Sequence, residues 1–115
     1  MLLEVSRAIF NCARGSGFHF GKDTAVVAVQ HMLLQTVDLF KTTAAMGLDL
    51  KNVFALGKVY SNSQPVIRTL RSMGITVIAS TTPAAGAFHS YFQHDVERLW
   101  KVAAETLSRR NIKRI

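Results

Sequence analysis

Side chains suited to recognising a small molecule occur in three short runs, each directly after an apolar stretch. The first is Gln30 and His31, with Gln35 and Thr36 one helical turn later. The second holds Lys58, Tyr60, Ser61, Asn62, Ser63 and Gln64, and the third holds Ser80, Thr81 and Thr82. These groups are mostly neutral amides, hydroxyls and an imidazole, which pair well with the edge of a base and the hydroxyls of a ribose and poorly with phosphate. His31 stands where a buried strand should give way to a helix. There it is either a ligand contact or a histidine satisfied within the fold.

Other chemistries find little support in the spacing. A dinucleotide fingerprint needs Gly-x-Gly-x-x-Gly directly after a strand, so that backbone can approach a pyrophosphate at a helix start. Gly15, Gly17 and Gly21 precede the first apolar run instead and read as a turn, so no cofactor-binding residue is assigned. His19, His31, His89 and His94 lack the i, i+4 spacing with a carboxylate that zinc chemistry uses, so no metal ligand is assigned. His89 and His94 read as exposed, and Cys12 as a buried small hydrophobe. Phe92 and Trp100, at helical spacing with Val96, read as core. No catalytic residue is assigned.

The polar runs need elements that bring them together. Leu2, Leu3, Val5, Ile9 and Phe10 fit an amphipathic helix over residues 1–14, stopped by Gly15-Ser16-Gly17, and residues 1–17 read as a docking helix with its turn. Thr24 to Val29 is a continuous apolar run of the kind covered on both faces in a parallel sheet. Leu33, Val37, Phe40 and Ala44 then recur at helical period until Gly47. The unit repeats: Asn52–Leu56 as strand, Pro65–Met73 as helix, Gly74 as stop, and Ile75–Ala79 as the third strand. A loop through Thr81, Thr82, Pro83 and Gly86 leads to a long helix that Ser90 can cap, with Phe92, Val96, Leu99, Trp100, Ala103 and Leu107 on one stripe. Ile112–Ile115 reads as the opening of a fourth strand. Alternating strands and helices predict an α/β fold, Rossmann-like, with helices on both faces of a short parallel sheet and right-handed crossovers. Residues 18–115 form that domain, expected to be incomplete at the fourth strand.

Composition sets the outer bounds. At 115 residues and 49% hydrophobic, the chain can bury one real core, and 2 Pro with 7 Gly exclude collagen-like and linker-like readings. One cysteine excludes a disulfide framework and suits a reducing cytoplasm. Asp23, Gln30, His31, Gln35 and Asp38 break the apolar stretches well short of the roughly 18 residues a membrane span needs, and the start resembles no targeting signal. The net charge of +7 would suit an anionic partner. Against nucleic acid stands the absence of aromatics among the basic residues, and Arg109, Arg110, Lys113 and Arg114 read as cations stabilising a helix end.

His31-Met32-Leu33-Leu34-Gln35-Thr36, followed by Val37, Leu39 and the Gly47 stop, resembles the His-Met-Thr-x-Glu/Gln-Thr element of the adenosylhomocysteinase (S-adenosyl-L-homocysteine hydrolase) family. The similarity extends through Val59-Tyr60-Ser61-Asn62-Ser63-Gln64, through the turn Met73-Gly74-Ile75-Thr76-Val77, and into a helix bearing Tyr91 and Trp100. Phe20-Gly21-Lys22-Asp23 sits where the family leads into its first strand. The resemblance covers residues 18–115 and implies part of a substrate-binding domain. It makes His31, Gln35, Thr36 and Ser61 contacts for adenosine or S-adenosylhomocysteine. Leu33 replaces a family Thr, Gln35 stands where many members have Glu, and Pro65 interrupts the family's Gln-Asp-His run. The family's catalytic elements and its NAD-binding domain have no counterpart here, although NAD would serve a complete member. Two readings follow. In one, the chain is a fragment, split or degenerate adenosylhomocysteinase-like hydrolase that contributes part of a nucleoside site, inactive alone and dependent on homo-oligomerisation or a partner chain. In the other, it is a noncatalytic α/β interaction or ligand-binding module.

Overall fold

Branched side chains crowd a helix and fit a pleated strand, and the valine-rich runs accordingly build the sheet. The structure, a computed structural model, describes residues 4–78, 80 and 88–115, with their side chains except at 4–6, 59–62 and 88–90. In chain order the elements are α1 (Glu4–Ser16), β1 (Val26–Met32), α2 (Leu34–Ala45), a 3-10 turn (Leu50–Asn52), β2 (Val53–Asn62), α3 (Gln64–Ser72), β3 (Thr76–Ile78) and α4 (Phe88–Leu107). The strands lie in the order β1-β2-β3, all parallel. This is the expected α/β class.

Alternation along β2 shows how the layers form. Val53 and Ala55 face one side, where they pack with Val37 and Phe40 of α2 and Ile67 and Leu70 of α3. Phe54 and Leu56 face the other, against Leu99, Ala103 and Leu107 of α4. Fully burying each of these larger side chains contributes about 1.5–3 kcal/mol, so β2 is the spine of both cores. Gly47 ends α2 at φ +97°, and a Cβ there would come within 3.0 Å of the Phe20 carbonyl, so glycine is required by both the turn and the close approach.

The boundaries depart from expectation in ways the packing explains. β1 starts at Val26 rather than Thr24 and runs on through Gln30 and His31, because β2 remains beside it that far. β2 extends past Leu56 to Asn62, so Lys58 to Asn62 belong to a strand and not to a loop after it. α1 continues through Gly15 to Ser16, and packs on α2 with Ile9 and Cys12 exposed. Cys12 is therefore not a buried hydrophobe: α1 touches the body along too little of its surface to cover it. Ser90 lies inside α4, which begins at Phe88, and so does not cap it. Trp100 is half exposed; it sits beside the stripe of Leu99 and Ala103 and not on it. Ala79, Thr81, Thr82, Pro83 and Gly86 lie outside the described residues. Of the expected fourth strand there is one parallel bridge, Thr24 to Arg114, on the outer side of β1. Among the described residues no helix is long and apolar enough to cross a membrane.

Candidate functional site

In an open parallel sheet the connections diverge above the carboxyl ends of the strands and leave a crevice there. At the end of β1 the ladder breaks. Val26 to Gln30 face Val53 to Gly57 in step, after which Met32 lies opposite Asn62, so β2 takes more residues than β1 over the same distance. Bulges of this kind re-aim side chains and gather next to binding sites. The Ser63 N–H donates to the Met32 carbonyl at 3.0 Å and closes the irregular stretch. His31 falls within it.

The turn into α2 then fixes the backbone around His31. Thr36 is buried, and its hydroxyl donates to the His31 carbonyl while its N–H donates to the Leu33 carbonyl at 2.9 Å. Leu33 occupies the helix N-cap with extended backbone (φ −118°, ψ 172°) and offers no side-chain cap. A cavity of about 270 Å³ opens here, lined by Gln30, His31, Leu33, Gln35, Thr36 and Leu39. That is just below the range of roughly 300–1,000 Å³ common for small-molecule sites. It suits a single ring system. Leu33 and Leu39 are exposed and give the opening an apolar lip, and Leu34, exposed at 70%, stands outside it.

Three of the four residues expected to bind thus share one cavity: His31, Gln35 and Thr36. The hydroxyl of Thr36 is spent on the His31 carbonyl, which makes it a positioning group. Ser61 lies in the last part of β2, and its side chain is outside the described residues.

One polar group escaped the sequence reading. Asp95 of α4 is completely buried, accepts a hydrogen bond from the Ser80 hydroxyl at 2.9 Å, and lies 3.8 Å from the Arg98 guanidinium. It shares an i, i+4 row with Leu99 and Ala103. A carboxylate on an apolar helical row was the available signal, because buried charges are retained only with partners. The pair ties α4 to the chain just after β3.

A larger cavity, about 450 Å³, lies at the opposite end of the sheet among Lys22, Asp23, Asp49, Lys51, Asn52 and Arg110. Arg110 spends its Nη1 there on the Lys51 carbonyl (2.7 Å) and Asn52 Oδ1 (2.6 Å). The basic cluster is therefore no helix-end device, since α4 has no cation in its last turn and Arg110 instead anchors the segment after it to the start of β2. Strand amino ends are not where such sheets bind ligands. The β1 to α2 turn carries Leu33 and Leu34 in place of glycines, so these residues do not fit the pyrophosphate of a nicotinamide cofactor. Among the described residues no group of three or more His, Cys, Asp or Glu could hold a metal ion.

No family model matches the chain, nor does any curated protein or solved structure.

Proposed function

We propose that the chain binds an adenosine-type small molecule at the carboxyl end of β1 and performs no hydrolysis by itself. The observation that carries this reading is the cavity in which an imidazole, two carboxamides and leucine side chains converge over one strand end. Leu33 and Leu39 supply apolar area for a purine ring. Gln35 offers both a donor and an acceptor to its edge, and His31 pairs with a ribose hydroxyl. The resemblance of His31 to Thr36 to the adenosylhomocysteinase element supports the same ligand and makes S-adenosylhomocysteine its natural extension. In that family the reaction begins with oxidation of the ribose by NAD, and the β1 to α2 turn, with Leu33 and Leu34, is not fitted to that cofactor.

Titration calorimetry with adenosine and with S-adenosylhomocysteine tests the reading. Heat is expected with at least one of them, and His31→Ala is expected to weaken binding by about tenfold, the loss of one hydrogen bond of about 1.5 kcal/mol. Absence of heat with both ligands rejects it.

A second reading, a noncatalytic interaction module, is favoured by the three exposed leucines Leu33, Leu34 and Leu39. Leu34→Glu separates the two. Leu34 does not line the cavity, so the substitution should spare adenosine binding while disrupting an apolar protein contact.

A further inference from the structure

The cavity at the amino end of the sheet is lined by charge of both signs. Lys22 and Asp23 precede β1, Asp49 caps the 3-10 turn that holds Lys51 and Asn52, and Arg110 comes from the segment after α4. The rule that sheets bind ligands at strand carboxyl ends rests on connections that diverge there. This cavity has another origin, because Arg110 holds the segment after α4 across the start of β2. From Arg114 the chain runs parallel to β1 and away from the cavity, and Lys113 and Arg114 do not line it.

Asn52 has a donor to spare. The residue is 5% exposed, and its Oδ1 accepts from Arg110 Nη1 at 2.6 Å. Arginine only donates, so the amide oxygen must face it and the nitrogen Nδ2 is turned elsewhere. Among the described residues Nδ2 donates to nothing, and protein does not seal it in, so it opens on the cavity that Asn52 lines. Polar groups on buried residues seldom go unmatched. The charges are unmatched too: among the described residues neither Asp23 nor Asp49 forms an ion pair with Lys22, Lys51 or Arg110. Asp49 spends one oxygen on the Lys51 N–H at 3.0 Å and keeps the other.

We infer that this cavity binds a free α-amino acid and prefers an acidic one. Lys22, Lys51, Arg110 and the Asn52 amide suit a carboxylate, which only accepts, and Asp23 with Asp49 suits an ammonium, which only donates. A simple anion such as phosphate would face those two carboxylates unpaired. Three cations against two carboxylates leave one positive charge, which a ligand with two carboxylates and one ammonium balances. Glu105 and Arg109, which border Arg110 in a neighbouring hollow, offset each other, and exposed Lys113 and Arg114 add to the positive side. The volume of about 450 Å³ lies within the range of small-molecule sites. The inference is independent of the nucleoside reading, whose cavity shares no residue with this one.

The test is a titration of the isotope-labelled intact chain with L-glutamate, followed by NMR on the side-chain amide of Asn52. That signal should shift to saturation. Glutarate carries the same two carboxylates on the same carbon chain without the ammonium, and should bind at least about tenfold more weakly. In D23N/D49N the preference for L-glutamate over glutarate should shrink to less than about twofold. Asparagine keeps the Oδ1 that caps the 3-10 turn, and unmoved signals from Val53 and Leu56 report that the variant is folded. No saturable shift of the Asn52 amide with L-glutamate overturns the inference. Equal binding of glutarate by the unaltered chain overturns the amino acid and leaves an anion site, and a preference that survives D23N/D49N overturns the part given to the two carboxylates. Glycine bound as tightly as L-glutamate overturns the preference for an acidic side chain.

Discussion

Thr36 links the backbone of β1 to the first turn of α2, and in the proposed site any effect it has on binding would be exerted through His31. With its hydroxyl on the His31 carbonyl and its side chain buried, it cannot reach a ligand without giving up that bond. Thr36→Val keeps the shape and removes the donor, so it should cost about 1 kcal/mol of stability and leave His31 less firmly placed. Thr42 provides the control. Its buried hydroxyl donates to the Asp38 carbonyl at 2.8 Å, inside the same helix and away from the cavity. Thr42→Val should lower the denaturation midpoint by a similar amount and leave adenosine affinity unchanged, while Thr36→Val weakens it about threefold, a difference of roughly 0.7 kcal/mol. Equal affinities for the two variants would reduce Thr36 to a structural residue.

α2 begins against local preference, and the exception falls at the site. Ser, Thr, Asp or Asn at an N-cap satisfies an orphan N–H, yet leucine stands at position 33, half-exposed on the cavity wall. Local rules are broken most often where function competes with stability. Leu33→Ser should therefore raise unfolding free energy by up to about 1 kcal/mol and weaken adenosine binding, both read on one purified variant. A gain in stability with binding intact would remove Leu33 from the cavity wall. The same tension explains what could be read from the chain beforehand. Apolar period and glycine stops located every helix, because α2, α3 and α4 bury one stripe each and Gly47 and Gly74 adopt positive φ. That His31, Gln35 and Thr36 line one cavity was legible because they follow one strand directly and connections diverge at a strand's carboxyl end. What stayed hidden depended on pairing between distant segments. Lys58 to Asn62 look like loop by composition yet continue β2, rejoining β1 where Asn62 lies opposite Met32, and Asp95 looks solvated until Ser80 and Arg98 meet it.

At the scale of the molecule, the small cavity and the anchored segment after α4 lie at opposite ends of the sheet. β1 connects to β2 through α2 on one face, and the segment bridged to its outer side arrives through α4 on the other. The connection from β1 to β2 and the one that returns from β3 to the outer side of β1 thus cover opposite faces, so the carboxyl end of β1 lies where the winding reverses, the place where open α/β folds bind ligands. The opposite end is held by Arg110, whose Nη1 bonds the Lys51 carbonyl and Asn52 Oδ1. Arg110→Ala should therefore lower the denaturation midpoint and leave adenosine affinity unchanged, because it touches none of the residues lining the cavity at the carboxyl end of β1. A loss of adenosine affinity in that variant, read by calorimetry, would move the binding site to the amino end of the sheet.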